Sequence, residues 1–183
     1  MTPSSVLLLP GRDGAPAHHW QTLWQRRHGH QRLEQHEWAR PLRGDWQIQL
    51  ENEVLQRTGP LWLVAHDLGC WLVAAWACAS RHAHKVAGAL LVAPCDVHAE
   101  PVRAALRSWQ ATPRVPLPFS AVLVASRNDP HCDPAHAREL AAVWGAQFID
   151  HGDCGHLDGD AALGSWPQGH VLLQSLTPLQ RET

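Results

Sequence analysis

The sequence lacks the features that mark membrane, exported or nucleic-acid-binding proteins. No uncharged apolar run approaches the roughly 20 residues that a membrane-spanning helix needs. The apolar stretch Val6 to Leu9 has no cationic residue before it and no cleavage-like segment after it, so it does not resemble an export signal. A formal net charge of -2 provides no basic field for nucleic acid or anionic lipid. We therefore expect a cytoplasmic protein that binds neither nucleic acid nor membranes.

Paired cysteines and metal-ligand spacings are also missing. The 5 cysteines form an odd set without a CxxC pair, in a chain long enough to bury a core without disulfides, so reduced thiols are predicted. Histidines cluster between His18 and His36, but carboxylates and thiolates do not recur beside them at ligand spacing. No metal and no cofactor are therefore predicted. Tyrosine is absent while tryptophan occurs 10 times, which we interpret as compositional bias rather than a motif.

What is present fits a single α/β domain. A chain of 183 residues with 45% hydrophobic and 17% charged residues is globular, and two domains would each have a thin core. Continuous apolar runs such as Val6 to Leu9 and Leu61 to Val64 are typical of parallel strands that are covered on both faces. A doubly wound parallel sheet is therefore predicted. The six predicted strands lie at residues 5–9, 32–36, 61–66, 86–93, 120–126 and 147–151.

Helical spacing of apolar residues separates these strands, with Asp45 and Asp133 placed as helix caps. The predicted helices lie at residues 17–27, 46–57, 68–81, 134–144 and 169–176. Prolines limit any helix between residues 94 and 119 to residues 102–109, and we interpret that segment as a rim or small lid. Ligands of open parallel sheets bind beyond the carboxyl ends of the strands, so the chemistry is expected in the loops there.

The third predicted strand leads into a sharp turn of the nucleophile-elbow type. Leu63 to Cys70 reads as an apolar strand, a turn and a helix that opens with glycine, and Asp67 occupies the raised position. Ala65 and Gly69 are the small neighbours that such a turn needs for strand and helix to approach each other. Asp67 is therefore the first candidate catalytic residue.

Two further candidates follow in the chain order of an α/β-hydrolase. Asp129 follows the fifth predicted strand and His156 follows the sixth, so His156 would transfer protons while Asp129 holds its tautomer. The backbone N–H of Leu68 and one from Gly11 or Arg12 could form an oxyanion hole. The expected partner is a small-molecule substrate, and the expected assembly is a monomer or homodimer.

With these residues in place, the sequence resembles the small α/β-hydrolases grouped with retinoblastoma-binding protein nine and the bacterial YdeN-like proteins. The resemblance covers almost the whole chain and rests on several short strings. They are Leu9-Pro10-Gly11, His19-Trp20, Trp24, Gln35-His36-Glu37-Trp38, Val64-Ala65-His66, residues 85–94, Pro116-Leu117-Pro118-Phe119, residues 125–130, Gly155-His156 and Gly164-Ser165-Trp166-Pro167.

The resemblance implies a flavodoxin-like core with strand order 2-1-3-4-5-6, no large cap, and serine hydrolase activity on small esters or amides. Asp129 and His156 match the acid and base of the family. The family pattern at the elbow is Gly-His-Ser or Ala-His-Ser, whereas this chain reads Ala65-His66-Asp67. The resemblance therefore implies a serine hydrolase scaffold with an aspartate at the nucleophile position.

An aspartate at this position has several possible roles. Ordinary esterase activity is expected to be weak, because carboxylate attack on an ester gives a more reactive anhydride. Displacement at saturated carbon, as in haloalkane dehalogenases and epoxide hydrolases, is one alternative. A closed ion pair with His156 is another, giving a catalytically inactive relative or a binding protein. A divalent metal held by Asp67, Asp129 and His156 is the least favoured.

Other residues are assigned either to the core or to the mouth of the site, which is formed by the loops at the carboxyl ends of the strands. We expect His19, Trp20 and Trp166 to contact substrate, with Trp24 and Trp109 near the mouth. The predicted core residues are Trp62, Trp71, Trp76 and Trp144, with His66 packed near the elbow and Cys70 and Cys78 as buried thiols.

Overall fold

The protein folds around one six-stranded parallel sheet. The computed structural model describes residues 5–176, and the strands are ordered β2-β1-β3-β4-β5-β6. This confirms the predicted α/β fold and strand order, with every neighbouring pair parallel. The strands are β1 (Ser5–Leu9), β2 (Gln31–Arg32), β3 (Leu61–His66), β4 (Val86–Val92), β5 (Ser120–Ala125) and β6 (Gln147–Asp150).

Helices cover both faces of the sheet. They are α1 (Trp20–His28), α2 (Arg43–Leu55), α3 (Leu68–Ala79), α4 (Pro134–Trp144) and α5 (Pro167–Ser175), with short 3-10 helices at Ala83–Lys85 and Arg107–Trp109. Buried side chains of α2, α3 and α4 form one core cluster, and those of α1 and α5 form the other. Successive strand residues face opposite clusters, as Leu7 and Leu8 of β1 do. Strands covered on both faces explain the continuous apolar runs.

Several local predictions were wrong. The second strand contains only Gln31–Arg32, because the chain pairs with β1 over just two residues before it leaves the sheet. Residues 102–109, the one stretch between 94 and 119 where prolines allow a helix, contain turns and a 3-10 helix at Arg107–Trp109. Asp45 does not cap α2, which begins two residues earlier, and its carboxylate lies in the first helical turn. Asp133 does cap α4, because its side chain accepts the Ala135 N–H at 2.7 Å.

All five cysteines are free, but their environments differ. Cys70 is buried as predicted, whereas Cys78 is exposed because it lies near the C-terminal end of α3, where the buried face ends. Burial raises the pKa of Cys132 to about 12 and raises the pKa values of Cys70 and Cys95 as well. These three thiols are therefore protonated at neutral pH. None of the helices within residues 5–176 has the length and apolar character to span a membrane.

Candidate active site

Asp67 lies at the sharp turn between β3 and α3. Its backbone has φ 52 and ψ -122, a conformation that is strained for a residue with a side chain. The Asp67 N–H donates to the Val92 carbonyl at 3.1 Å, so the end of β4 holds the turn in place. The strained conformation lifts the carboxylate above the carboxyl edge of the sheet.

Two glycines allow neighbouring backbone to approach this turn. A Cβ on Gly69 would lie 2.4 Å from the Leu9 carbonyl oxygen, so α3 could not pack against β1 with any larger residue there. A Cβ on Gly11 would lie 2.4 Å from Asp67 Oδ2. The loop after β1 therefore touches the Asp67 side chain itself, which the sequence did not reveal.

The structure brings Asp67, Asp129 and His156 together. His156 Nδ1 lies 2.9 and 3.0 Å from the two carboxylate oxygens of Asp129. On the other side of the ring, His156 Nε2 lies 3.4 Å from Asp67 Oδ1. The side chains of His156, Asp67 and Asp129 are only 9%, 8% and 2% exposed. The imidazole is thus held between two buried carboxylates.

This arrangement favours a proton on each ring nitrogen of His156. Nδ1 donates to Asp129, and Nε2 faces the Asp67 carboxylate. Burial by itself would lower the pKa of His156, but the hydrogen bond to Asp129 and the charges of both neighbouring carboxylates raise it to about 9. Burial would raise the pKa of Asp67, yet the positive charge of His156 holds it below its ordinary value. At neutral pH a protonated His156 therefore lies beside an ionised Asp67.

One of the predicted oxyanion donors is occupied by the aspartate. The Arg12 backbone N–H donates to Asp67 Oδ2 at 3.0 Å, and the Arg12 Nε lies 4.0 Å from the same oxygen. Asp67 Oδ1 is buried and accepts no hydrogen bond of standard geometry from residues 5–176. Leu68 begins α3, where helix N–H groups have no intrahelical partner. The two oxygens of this carboxylate therefore have different environments.

Two further histidines lie beside this centre. His66 donates its Nε2 proton to the His156 carbonyl at 2.9 Å, and its ring packs 4.8 Å from the His156 ring. His19 is 2% exposed, and its Nδ1 accepts the Gln21 N–H at 3.1 Å, which caps α1. Burial lowers the pKa values of His66 to about 4 and of His19 to about 2, so both are neutral.

A polar network that the sequence reasoning missed holds the loop of His156. Ser126 Oγ donates to Asn128 Oδ1 at 2.8 Å and accepts the Cys154 N–H at 2.9 Å. Asn128 Oδ1 also accepts the Gly155 N–H at 2.8 Å. The loop after β5 and the loop after β6 are thereby tied together, next to the contact between Asp129 and His156. The string at residues 125–130 contained these residues but gave no sign of their partners.

A cavity of about 360 Å³ opens beside Asp67 and His156. His66 and His19 also line it, and Asp13, Asp158 and Asp160 contribute further carboxylates. Arg12 and His131 separate it from a second hollow of about 540 Å³, which the segment 95–102 also lines. Part of the segment predicted to be a rim therefore borders this second hollow.

Trp20 and Trp166 do not line the cavity, contrary to the expectation that they contact substrate. Both are 1% exposed, because they pack against each other with ring centroids 5.0 Å apart under the loop after β6. Trp20 Nε1 donates to the Leu157 carbonyl at 2.7 Å and so anchors the residue after His156. Trp109 lies on the opposite face of the sheet, where it packs on Trp46. Of these tryptophans, Trp20 therefore supports the loop of His156 without reaching the cavity.

The side chains of the site do not form a metal centre. Within residues 5–176, no group of three or more histidine, cysteine or acidic side chains is arranged to hold a metal ion. Asp67 and Asp129 lie on opposite sides of the His156 ring rather than converging on one point. The centre is therefore suited to proton transfer and nucleophilic chemistry rather than to metal binding.

Comparisons with known proteins agree with this fold. A YdeN-like hydrolase of Pectobacterium atrosepticum has 27% identity and a TM-score of 0.81, with 93% of this chain and 89% of that chain covered. The ydeN gene product of Bacillus subtilis has 19% identity and a TM-score of 0.73, covering 94% and 97%. A thermophilic esterase from Thermogutta terrifontis shares the fold at 15% identity, with a TM-score of 0.65 and 95% and 88% covered.

No curated protein sequence matches this chain. The family model described as serine hydrolase, however, matches residues 6–175, which is nearly the whole domain. The chain therefore belongs to the serine hydrolase family.

Proposed function

We propose that this protein is a hydrolase that works through a covalent ester on Asp67, the residue that stands where the family has its serine. The observation that carries the proposal is the unequal environment of the two carboxylate oxygens. Oδ2 accepts the Arg12 N–H at 3.0 Å, whereas Oδ1 has no such hydrogen bond and faces His156 Nε2 at 3.4 Å. Oδ1 is thus the oxygen that can attack without giving up a hydrogen bond.

The chemistry of a carboxylate favours saturated carbon over an ester carbonyl. Attack on an ester carbonyl would give an anhydride, which is more reactive than the ester. In addition, His156 is already protonated and cannot accept a proton from a serine-type nucleophile. Attack on saturated carbon instead forms a stable alkyl ester on Asp67 Oδ1 and expels the leaving group.

The same residues supply the second step. Esterification removes the negative charge that faces His156 Nε2, so the imidazole is more easily deprotonated and can activate water. The water adds to Cγ of Asp67, and charge develops on Oδ2, where the Arg12 N–H donates. The bond between Cγ and the alkyl oxygen then breaks, and the remaining proton of the added water passes to that oxygen. The product leaves as an alcohol, and the carboxylate is restored.

The cavity favours small polar substrates. A volume of about 360 Å³ holds only a small molecule, and the lining is rich in carboxylates and imidazoles. Asp13, Asp158 and Asp160 face a site that already contains Asp67. Coulombic repulsion therefore disfavours anionic substrates such as haloacids.

The test is the fate of oxygen from heavy-oxygen water. Under single-turnover conditions, with enzyme in excess over glycidol or 3-bromopropane-1,2-diol, the heavy oxygen is expected in the Asp67 peptide rather than in the glycerol product. The Asp67→Asn variant is the matched control and should neither turn over nor label. Absence of label with both probes would reject the covalent mechanism and favour an inactive relative, whose closed ion pair serves only stability or binding.

A further inference from the structure

The resting centre stores a proton on the cavity side of His156. Its Nδ1–H is held by Asp129 at 2.9 and 3.0 Å, while its Nε2–H faces Asp67 Oδ1 at 3.4 Å, beside the cavity. When Oδ1 becomes an ester oxygen, the carboxylate charge that holds this proton disappears. The proton is then available to the group that has just left the substrate carbon.

The two classes of leaving group make different use of this proton. A halide leaves as a stable anion and needs no proton, so His156 would have to release its proton to solvent before it could activate water. A ring-opened epoxide leaves as an alkoxide, which is strongly basic and needs a proton at once. The imidazolium of resting His156 can therefore protonate a departing alkoxide, whereas a departing halide does not use its proton.

His19, which lines the same cavity, carries a second donor. Because Nδ1 accepts the Gln21 N–H, the neutral ring carries its proton on Nε2. This Nε2 is buried and has no hydrogen-bond partner among residues 5–176, and the His19 side chain lies in the lining of the cavity that Asp67 also lines. A buried donor without a partner is costly unless a ligand satisfies it. It is a neutral donor, suited to an uncharged oxygen acceptor.

We propose that the substrate is a small, uncharged, polar epoxide, whose oxygen is bound by the His19 Nε2–H and protonated by the His156 Nε2–H. The inference rests on the proposed covalent function of Asp67 and deepens it. Asp67 Oδ1 forms a bond to the epoxide carbon, the ring C–O bond breaks, and the oxygen takes the proton of His156. Neutral His156 then takes one proton from water as the hydroxide adds to Cγ. The bond between Cγ and the alkyl oxygen breaks, the second proton of the water passes to that oxygen, and the diol leaves the restored carboxylate. The cycle consumes one water and needs no other reactant.

Turnover of a matched pair of substrates tests this assignment. Glycidol and 3-bromopropane-1,2-diol give the same product, glycerol, and differ in whether the leaving group needs a proton. We expect kcat/KM to be at least 100-fold higher for glycidol, within the range that general acid catalysis contributes. Labelling of Asp67 by the bromide with no advantage for glycidol would overturn the epoxide assignment and leave the covalent mechanism standing. No label with either probe would overturn both.

His19→Asn tests the second donor while keeping the helix cap. Asparagine is a good N-cap residue, so α1 should be retained. Its side chain is too short to place a donor where Nε2 of His19 lies. The expected result is a loss of kcat for glycidol of tenfold or more, with a clearly smaller loss in the labelling of Asp67 by the bromide. Equal losses with both probes would show a structural role for His19 and overturn its assignment as an oxygen donor.

A spectroscopic measurement does not depend on turnover. In the Asp67→Asn variant, which cannot form the ester, glycidol is expected to shift the ¹⁵N and ¹H resonances of the His19 Nε2–H group. The nitrogen spectrum of the free protein should also show His19 in the Nε2–H tautomer. An unshifted His19 resonance at saturating glycidol, or the opposite tautomer, would contradict the proposal.

Discussion

The Arg12 backbone N–H donates to Asp67 Oδ2 at 3.0 Å across 55 positions of sequence. This contact places one carboxylate oxygen where a donor for a developing oxyanion is expected, and it requires the close approach of Gly11 to the Asp67 side chain. The carboxylate therefore fills a position that a shorter serine side chain would leave open.

Asp67→Ser is expected to create hydrolysis of p-nitrophenyl acetate. The shorter side chain frees the Arg12 N–H for a substrate oxyanion, and removal of the carboxylate lets His156 act as a base at neutral pH. Release of p-nitrophenolate measures the gain. Adding His156→Ala should reduce the rate by about 10²- to 10⁴-fold, the usual contribution of a general base. A well-folded Asp67→Ser variant without esterase activity would argue against the assigned roles.

The titration of His156 should depend on Asp67. Burial opposes the charged form, but the two carboxylates raise the pKa of His156 to about 9 in the native protein. In Asp67→Asn this pKa should fall toward that of a histidine paired with Asp129 alone. Nuclear magnetic resonance of the His156 ring measures both values, and equal pKa values in the two proteins would contradict the ion pair.

The same ion pair makes stability pH-dependent. A folded-state pKa of about 9 lies above the ordinary value of 6.5, so His156 contributes its full stabilisation below pH 6.5 and loses it as the pH rises through 9. The loss is on the order of 3 kcal/mol at most. Urea unfolding of the wild type and His156→Gln at pH 6 and pH 10 measures it. A difference between the two proteins that is the same at both pH values would exclude this linkage.

Gly69→Ala is expected to destabilise the domain by about 2 kcal/mol or more, because its Cβ would lie 2.4 Å from the Leu9 carbonyl oxygen and the backbone must move. Gly44→Ala is the matched control. A Cβ there has no neighbour within 4 Å, and the residue lies in α2, so stability should rise by up to about 1 kcal/mol. Urea unfolding compares the two. Equal effects would show that α3 does not pack against β1 as closely as described.

Asn128 is expected to act as a positioning residue for His156. Asn128→Ala removes the acceptor of Ser126 Oγ and the Gly155 N–H, so the loop that carries His156 loosens. In the Asp67→Ser background, kcat for p-nitrophenyl acetate should fall by about tenfold. Asn128→Asp retains the acceptor oxygen and should restore most of the rate. Failure of this rescue, with folding intact, would reject the positioning role.

A negative charge on the substrate should lower kcat/KM. Asp13, Asp158 and Asp160 line the cavity, so glycidyltrimethylammonium and glycidol should both be used more efficiently than glycidate. Asp158→Asn should reduce the difference in kcat/KM between the cationic and anionic compounds, and added salt should do the same. Values of kcat/KM measure the effect. A preference for glycidate would contradict the electrostatic character assigned to the cavity.

The local sequence pattern was sufficient to predict the bounds of an element where its own apolar residues and capping residues define them. β3 at Leu61–His66 and α4 at Pro134–Trp144 have the predicted bounds, because apolar runs and a capping Asp133 define them locally. The second strand was misplaced because its two residues owe their conformation to pairing with β1. Trp20 and Trp166 were misassigned because burial of a tryptophan depends on which elements pack over it.

The sequence by itself determined the serine hydrolase fold and the candidates Asp67, Asp129 and His156, because each follows a strand whose carboxyl end must lie at one edge of a parallel sheet. Only the tertiary structure decided the chemistry of that edge. The proton on His156 Nε2, the Arg12 donor on Asp67 Oδ2 and the unpartnered Nε2–H of His19 depend on contacts between distant segments. The energies of hydrogen bonds and of charge interactions change with interatomic distance, for hydrogen bonds over fractions of an ångström. Residue spacing along a chain does not fix such distances.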